Sequence, residues 1–153
     1  MIPSLLIGGF VLLVLLIWLA VTYNRLVSVR QHLKESWSDV DVELKRRYDL
    51  IPNLVSTVKG YATHERETLE RVVELRNHAQ ANQGRPDRQS GDEQALVSGL
   101  GQLMAVAEAY PDLKADANFR ALQEELANTE DRIAAGRRFY NGNVREMNQL
   151  CTT

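Results

Sequence analysis

Residues 5–21 read LLIGGFVLLVLLIWLAV and form the centre of an apolar run from Ser4 to Tyr23. The run is 20 residues long. As an α-helix it spans about 30 Å, the thickness of the hydrocarbon core of a bilayer. Trp18 and Tyr23 lie near its end, where aromatic rings prefer the membrane interface. The run therefore predicts a transmembrane anchor over residues 1–23.

The alternative for this run is a cleaved signal peptide. A signal peptide carries basic residues before its apolar stretch and a small-residue cleavage site after it. The sequence has no basic residue before the run and no convincing cleavage site behind it. We therefore expect the anchor to be retained in the mature protein.

Charge asymmetry around the anchor predicts its orientation. The first charged side chain is Arg25, and Arg30 and Lys34 follow within ten residues. Basic residues flanking a membrane helix stay on the cytoplasmic side. We expect the amino terminus outside the membrane and the following domain in the cytoplasm, with a periplasmic domain as the alternative.

The composition excludes several classes of protein. The 153 residues include 18 basic and 20 acidic side chains, for a net charge of −2 and a pI near 5.9. This balance argues against a nucleic-acid partner. The single cysteine, Cys151, excludes an intrachain disulfide framework and a multi-cysteine metal site. One long apolar run also excludes a polytopic transporter or channel.

Beyond the anchor, apolar residues recur at steps of three and four, the periodicity of one helix face. Turn-forming residues interrupt the pattern at 84–92, and Pro111 ends a further helix. No stretch of useful length alternates as a strand would. The pattern predicts helices over about residues 24–60, 63–83, 92–110 and 115–150.

The predicted fold class is all-α. Since no helix-breaking residue separates the anchor from the first of these helices, the transmembrane helix continues into the soluble domain, residues 24–153. Pro52 interrupts the long helix and bends it, with a full break at Pro52 as the alternative. Short connections make successive helices antiparallel neighbours. The domain is therefore predicted to be an antiparallel four-helix bundle with two long and two short helices.

The predicted helix lengths leave apolar surface uncovered near the membrane. The two long helices reach roughly 50 Å and the two short ones roughly 30 Å, so only the long pair extends back to the anchor. There each carries apolar residues at coiled-coil-like spacing. We call these residues the proximal stripe: Leu26, Val29, Leu33, Trp37, Tyr140, Val144 and Met147. Two helices do not enclose such a stripe, which predicts lateral self-association. The alternative is that lipid headgroups and Arg or Lys stems cover it.

No motif in the sequence predicts catalysis or a bound cofactor or metal. His64-Glu65 resembles the start of a zinc motif, but the second histidine would be needed at position 68, which is Thr68. Gly99 and Gly101 are better explained by helix packing than by phosphate binding. We therefore expect a protein that is not an enzyme and has no cofactor.

Polar residues that flank the apolar faces predict a structural or interface network between the long helices. Its members are Arg46, Arg47, Asp49, Asn53, Glu130, Arg137, Arg138 and Asn141. Two alternatives remain open, ordinary solvated helix faces with weak ion pairs and a binding pocket.

Several strings of the sequence resemble the LemA family across residues 23–149. They are YNRLV at 23–27, RRYDLIPNLV at 46–55, VKGY at 58–61, HE at 64–65, EAYPDLKA at 108–115, NF at 118–119, Leu122, TEDRI at 129–133 and RRFYN at 137–141. The resemblance implies a single-span protein of the bacterial inner membrane with a helical-bundle domain and no established enzymatic activity. Members of the family commonly continue past residues 140–141 with a further apolar tail. Here the sequence ends at Cys151-Thr152-Thr153, which puts a tail-dependent membrane or partner contact of the family in doubt for this chain.

Three functions are compatible with these features. The first is a scaffold or interaction platform of the bacterial envelope whose partners are further copies of the chain and the lipid bilayer. The second, suggested by family analogy, is a regulatory adaptor for a membrane protease or an envelope-stress sensor. The third is a hydrolase using His64, Glu65 and the cluster at 46–49.

Overall fold

The computed structural model describes residues 2–84 and 86–152, and within these ranges the only regular secondary structure is helical. These ranges contain five helices, one more than the four that the sequence pattern predicts, because a short helix precedes the last long one. They are α1 (Ile2–Tyr61), α2 (Arg66–Ala81), α3 (Pro86–Glu108), α4 (Pro111–Ala115) and α5 (Ala117–Thr152).

The helix α1 is a single helix of 60 residues that joins the apolar segment to the charged part of the chain. Pro52 lies inside α1 without ending it, so the alternative of a full break at this proline is wrong. Among the described residues, α1 alone is long and apolar enough to span a membrane. No residue in the most apolar stretch of α1 is buried by the rest of the protein. Ile7 and Phe10, for example, expose 66% and 68% of their surface.

Two helix starts differ from the sequence expectation, and proline explains both. The polar stretch predicted as a loop over 84–92 is mostly helical, because α3 already begins at Pro86. Pro111 begins the five-residue helix α4 as well as following the end of α3. The fixed φ of proline suits the first turn of a helix, where its missing N–H has no partner to lose.

The chain divides into two compact units. The anchor unit comprises Met1–Ser38 and Gly136–Thr153, and the core unit comprises Asp39–Ala135. In the core unit, α1, α2, α3, α4 and α5 all contribute to one apolar core. Its buried members are Val40, Leu44, Tyr48, Ile51, Leu54, Val58, Ala62, Leu69, Val72, Ala79, Leu96, Leu100, Leu103, Ala107, Leu113, Phe119, Leu126 and Ile133. Their spacing on each helix is the predicted period of three and four.

One glycine of α3 allows a close approach between helices. A Cβ built on Gly99 would lie 2.7 Å from Cδ1 of Leu75 on α2, whereas one built on Gly101 meets no atom within 4 Å. Gly99 therefore lets α2 and α3 pack closely in the core unit, at the cost in helix propensity that glycine carries.

Candidate functional site

In the anchor unit, α1 and α5 pack against each other in antiparallel order. Nη2 of Arg25 lies 3.4 Å from Oε1 of Glu146. Further along, Nδ2 of Asn143 donates to Oγ of the buried Ser36 at 3.3 Å. The rings of Trp37 and Tyr140 lie 5.2 Å apart between centroids and are tilted by 59°. Residue numbers rise along α1 as they fall along α5, so the end of α5 lies beside the end of the apolar segment.

The seven residues of the proximal stripe all lie in the anchor unit, and a single chain covers them only in part. Val29 is buried, with 4% of its surface exposed. The remaining six residues of the stripe are half-buried: Leu26, Leu33, Trp37, Tyr140, Val144 and Met147. Pairing of α1 with α5 therefore brings the predicted residues together without enclosing them.

Sequence patterning missed part of this surface. Val27 and Phe139 expose 48% and 61% of their surface, although neither fits the step of three and four that defines the stripe. It also missed the Ser36–Asn143 contact, because a polar pair separated by 107 positions leaves no local signal. Isolated exposed apolar residues are ordinary on protein surfaces, so Val27 and Phe139 add area to the stripe without defining it.

A buried ionic cluster lies inside the core unit. The guanidinium of Arg47 is 1% exposed, and it pairs with the carboxylates of Glu93 on α3 and Glu130 on α5. The hydroxyl of Tyr48 donates to the same Glu93 carboxylate. Since a buried charge is tolerated only when it is paired and hydrogen-bonded, Arg47 ties three helices together at one point.

Other buried polar atoms surround this cluster. The amide of Gln89, four residues before Glu93 on α3, is 1% exposed, and neither its nitrogen nor its oxygen has a hydrogen-bond partner among the described residues. Nε of Arg76 donates to the carbonyl oxygen of Tyr48 at 3.0 Å. The core unit thus contains a polar layer in which not every group is satisfied by protein atoms alone.

The neighbouring Arg46 makes a different kind of ion pair. Its Nη2 lies 2.7 Å from Oε1 of Glu125, with side chains that are 46% and 42% exposed. The hydrogen bond and charge of Glu125 raise the pKa of Arg46 above its usual value. Arg132 likewise approaches Glu43 at 3.3 Å. The Arg46–Glu125 pair lies at the surface, where solvent screens it strongly. In the second pair Arg132 is exposed, but the Glu43 side chain is only 19% exposed.

The residues predicted as a polar network are distributed over both units. Arg46, Arg47 and Glu130 make ion pairs in the core unit. Asp49 and Asn53 are exposed on α1, while Arg137, Arg138 and Asn141 belong to the anchor unit. Sequence reasoning missed Glu93, Glu125 and the role of Tyr48. No pattern in one sequence selects these two glutamates from the other carboxylates.

The start of α5 is held by a capping carboxylate. Oδ1 of Asp116 accepts the backbone N–H of Phe119 at 2.8 Å, and Oδ2 accepts the hydroxyl of Tyr61 at 2.9 Å. Chiefly the Phe119 N–H, and then the Tyr61 hydroxyl, lower the pKa of Asp116 below the usual value of 3.8. The same hydrogen bond raises the pKa of Tyr61 above 10.0.

The hydrolase alternative draws on residues of α1 and of the turn that follows it. His64 is exposed in the turn between α1 and α2. Glu65 accepts a hydrogen bond from the Tyr110 hydroxyl at 3.3 Å. Burial and the charge of Glu65 raise the pKa of Tyr110. Beside this turn, a groove of about 720 Å³ between α1 and α2 has an apolar floor at Val55, Leu69 and Val73.

Residues 36–153 match the LemA family. The chain belongs to the LemA family.

Similar curated proteins come from several bacteria. The chain is 25% identical to the magnetosome protein MamQ of Magnetospirillum gryphiswaldense, over 88% of this chain and 58% of MamQ. It is 26% identical to magnetosome protein MamQ 2 of Paramagnetospirillum magneticum, over 80% of this chain and 54% of that protein. It is 28% identical to protein LemA of Metamycoplasma hominis, over 77% of this chain and 54% of that protein. The chain spans a little over half the length of these relatives. Together with the apolar helix, the family points to a membrane-associated protein.

Proposed function

We propose that the chain is a non-enzymatic, single-pass membrane protein that self-associates laterally through the proximal stripe. In this role it serves as a scaffold or interaction platform of the bacterial envelope. The observation that carries the proposal is incomplete burial: six of the seven stripe residues stay half-buried although α1 and α5 already pack together. A second anchor unit offers a matching apolar surface.

The geometry of an anchored helix favours this kind of pairing. Every copy that enters the membrane in the same direction holds its proximal stripe at the same height above the bilayer. Like surfaces therefore meet side by side, and confinement to a plane raises their effective concentration. The residues that gain most from a neighbour are the aromatic pair Trp37 and Tyr140, because aromatic side chains dominate the energetics of buried interfaces.

Two further features belong to the same proposal. The five-helix core unit supports an antiparallel bundle of two long and two short helices, because all five helices share one apolar core. Arg25, Arg30 and Lys34 beside the apolar segment support an amino terminus outside the membrane and a cytoplasmic domain.

The decisive experiment measures the mass of the full-length protein. The detergent-solubilised protein is examined by size-exclusion chromatography with light scattering across micromolar concentrations, and an oligomer is expected. Leu33→Glu and Val144→Glu place a charge in the stripe and are expected to dissociate it. Val42→Glu is the matched control, since Val42 is 63% exposed in the core unit. A wild-type protein that is strictly monomeric at every concentration contradicts the proposal.

Crosslinking in native membranes separates self-association from the adaptor alternative. A Leu33→Cys variant that also carries Cys151→Ser has one thiol, placed in the stripe. Crosslinked products with the mass of two copies support self-association. Products that contain only an unlike membrane protein would instead favour a regulatory adaptor for a membrane protease or stress sensor.

A further inference from the structure

The two units differ sharply in charge. The anchor unit contains six basic and two acidic side chains, while the core unit contains twelve basic and eighteen acidic ones. The overall charge of −2 conceals this division. A strongly positive unit that also carries the apolar segment of α1 is suited to a negatively charged membrane surface.

Most cations of the anchor unit form no ion pair with a described carboxylate. Arg25 alone of the six contacts a carboxylate, that of Glu146. The side chains of the other five make no ion pair or hydrogen bond with residues 7–84 or 88–152: Arg30, Lys34, Arg137, Arg138 and Arg145. In the core unit, by contrast, exposed Arg46, Arg66 and Arg132 are each paired with a glutamate. Three of these five cations, Arg30, Lys34 and Arg145, lie at the end of the anchor unit that carries the apolar segment.

The packing of α5 against α1 adds a cation that the local sequence does not supply. Arg30 and Lys34 follow Asn24, the last residue before the first charge, by six and ten residues, which is about 9 and 15 Å along a helix. Arg145 is 120 positions from Arg25 in the sequence, yet its neighbour Glu146 contacts Arg25 directly. Arg145 therefore lies close to the same level.

We infer that Arg25, Arg30, Lys34 and Arg145 form a basic belt that binds the phosphate headgroups of anionic lipids at the membrane surface. The occupant follows from charge complementarity and from position, because the belt begins where the apolar run ends. Phosphate oxygens accept charge-assisted hydrogen bonds from guanidinium and ammonium groups. This inference does not depend on self-association, because each copy carries the whole belt.

The test uses full-length protein reconstituted in vesicles of phosphatidylcholine and brominated phosphatidylglycerol. Trp18 lies in the apolar segment, near the end that carries the belt, and is 65% exposed, so a brominated lipid beside it quenches its fluorescence. Trp37 lies 13 residues beyond Asn24, about 20 Å further along α1, out of reach of the bromine atoms. The measured quantity is the association constant for phosphatidylglycerol relative to phosphatidylcholine at Trp18.

The expected result is a preference for phosphatidylglycerol that falls roughly five-fold in Arg145→Gln, the change that about 1 kcal/mol per basic residue produces. Arg145→Lys keeps the charge and is expected to keep the preference. Glu146→Gln frees Arg25 from its carboxylate and is expected to increase it. Arg138→Gln is the matched control, because Arg138 lies beyond the level of Trp37, more than two Debye lengths from the bilayer.

Several outcomes would overturn the inference. Equal association constants for phosphatidylglycerol and phosphatidylcholine would show that the belt does not bind anionic headgroups. Another is an Arg145→Gln protein whose phosphatidylglycerol preference stays at the wild-type value, or falls no more than that of Arg138→Gln. Either result would exclude Arg145 from the lipid contact and contradict a belt formed by both helices. A preference that persists in 0.5 M salt would not be electrostatic. Loss of the preference in inorganic phosphate at constant ionic strength would identify a soluble-anion site instead.

Discussion

Replacing Glu93 tests whether the buried ionic cluster holds the core unit together. Glu93→Ala leaves Arg47, which is 1% exposed, with Glu130 as its remaining carboxylate, and Glu130 is 39% exposed. Removing one partner of a buried pair costs about 3–5 kcal/mol, because the other charge stays buried and poorly compensated. The hydroxyl of Tyr48 loses its Glu93 acceptor at the same time and keeps the longer bond to the carbonyl oxygen of Ala79, at 3.4 Å. A loss of this size is a large part of the stability of an ordinary domain.

The assay is urea unfolding of the full-length protein in detergent, followed by circular dichroism at 222 nm. With an m-value of about 1.5 kcal/mol per molar urea, the expected loss lowers the midpoint by about 2–3 M. Glu125→Ala is the matched control, since it deletes the partner of Arg46 at the surface. Its midpoint is expected to stay near that of the wild type.

A second variant separates an ionic requirement from simple damage. Arg47→Met combined with Glu93→Leu removes both charges and fills their space with apolar atoms, and we expect most of the lost stability to return. The reasoning is refuted if Glu93→Ala and Glu125→Ala shift the midpoint equally. It is also refuted if the double variant is no more stable than Glu93→Ala.

Three further predictions concern the core unit. Tyr48→Phe removes the hydroxyl that donates to Glu93 and should lower the free energy of unfolding by about 2 kcal/mol, measured by urea unfolding. An unchanged urea midpoint would show that this hydrogen bond does not stabilise the fold. Gly101→Ala should stabilise α3 by about 1 kcal/mol, whereas Gly99→Ala should gain less or lose, because its Cβ meets the Leu75 side chain; equal gains would contradict the close packing. Because the folded pKa of Asp116 is lowered, its contribution is present above 3.8 and is lost as the pH falls through the folded pKa. The wild type should therefore lose its stability advantage over Asp116→Ala as the pH falls, and an advantage that does not change with falling pH would refute the assignment.

Most of the helices were predictable because they follow from the spacing of apolar residues that are close together in the sequence. The apolar run at 4–23 and the three-and-four periodicity need no knowledge of distant residues, since each follows from the pitch of a helix or the thickness of a bilayer. The errors lie at helix ends. Proline is compatible both with the end of one helix and with the first turn of the next. The sequence therefore predicts a loop where α3 begins at Pro86, and only a helix end where α4 begins at Pro111.

The candidate site was predictable only where it is apolar. The proximal stripe follows from periodicity, and its seven residues all lie in the anchor unit. The polar contacts do not follow, because charged side chains are common on every helix face. Asp49 and Asn53, which flank the apolar face in sequence, are exposed, while Glu93 of α3 became a partner of Arg47.

By itself, the sequence determined the long apolar segment, the all-helical class and the apolar faces, because hydrophobic burial depends on patterns that repeat within a few residues. Tertiary structure alone decided which charges meet. Arg47 reaches Glu93 and Glu130 across 46 and 83 positions, and Arg145 comes to the level of Arg25 through the Glu146 contact. An ion pair acts over a few ångströms of space, and only the packing of α1, α3 and α5 converts those long separations in sequence into short ones.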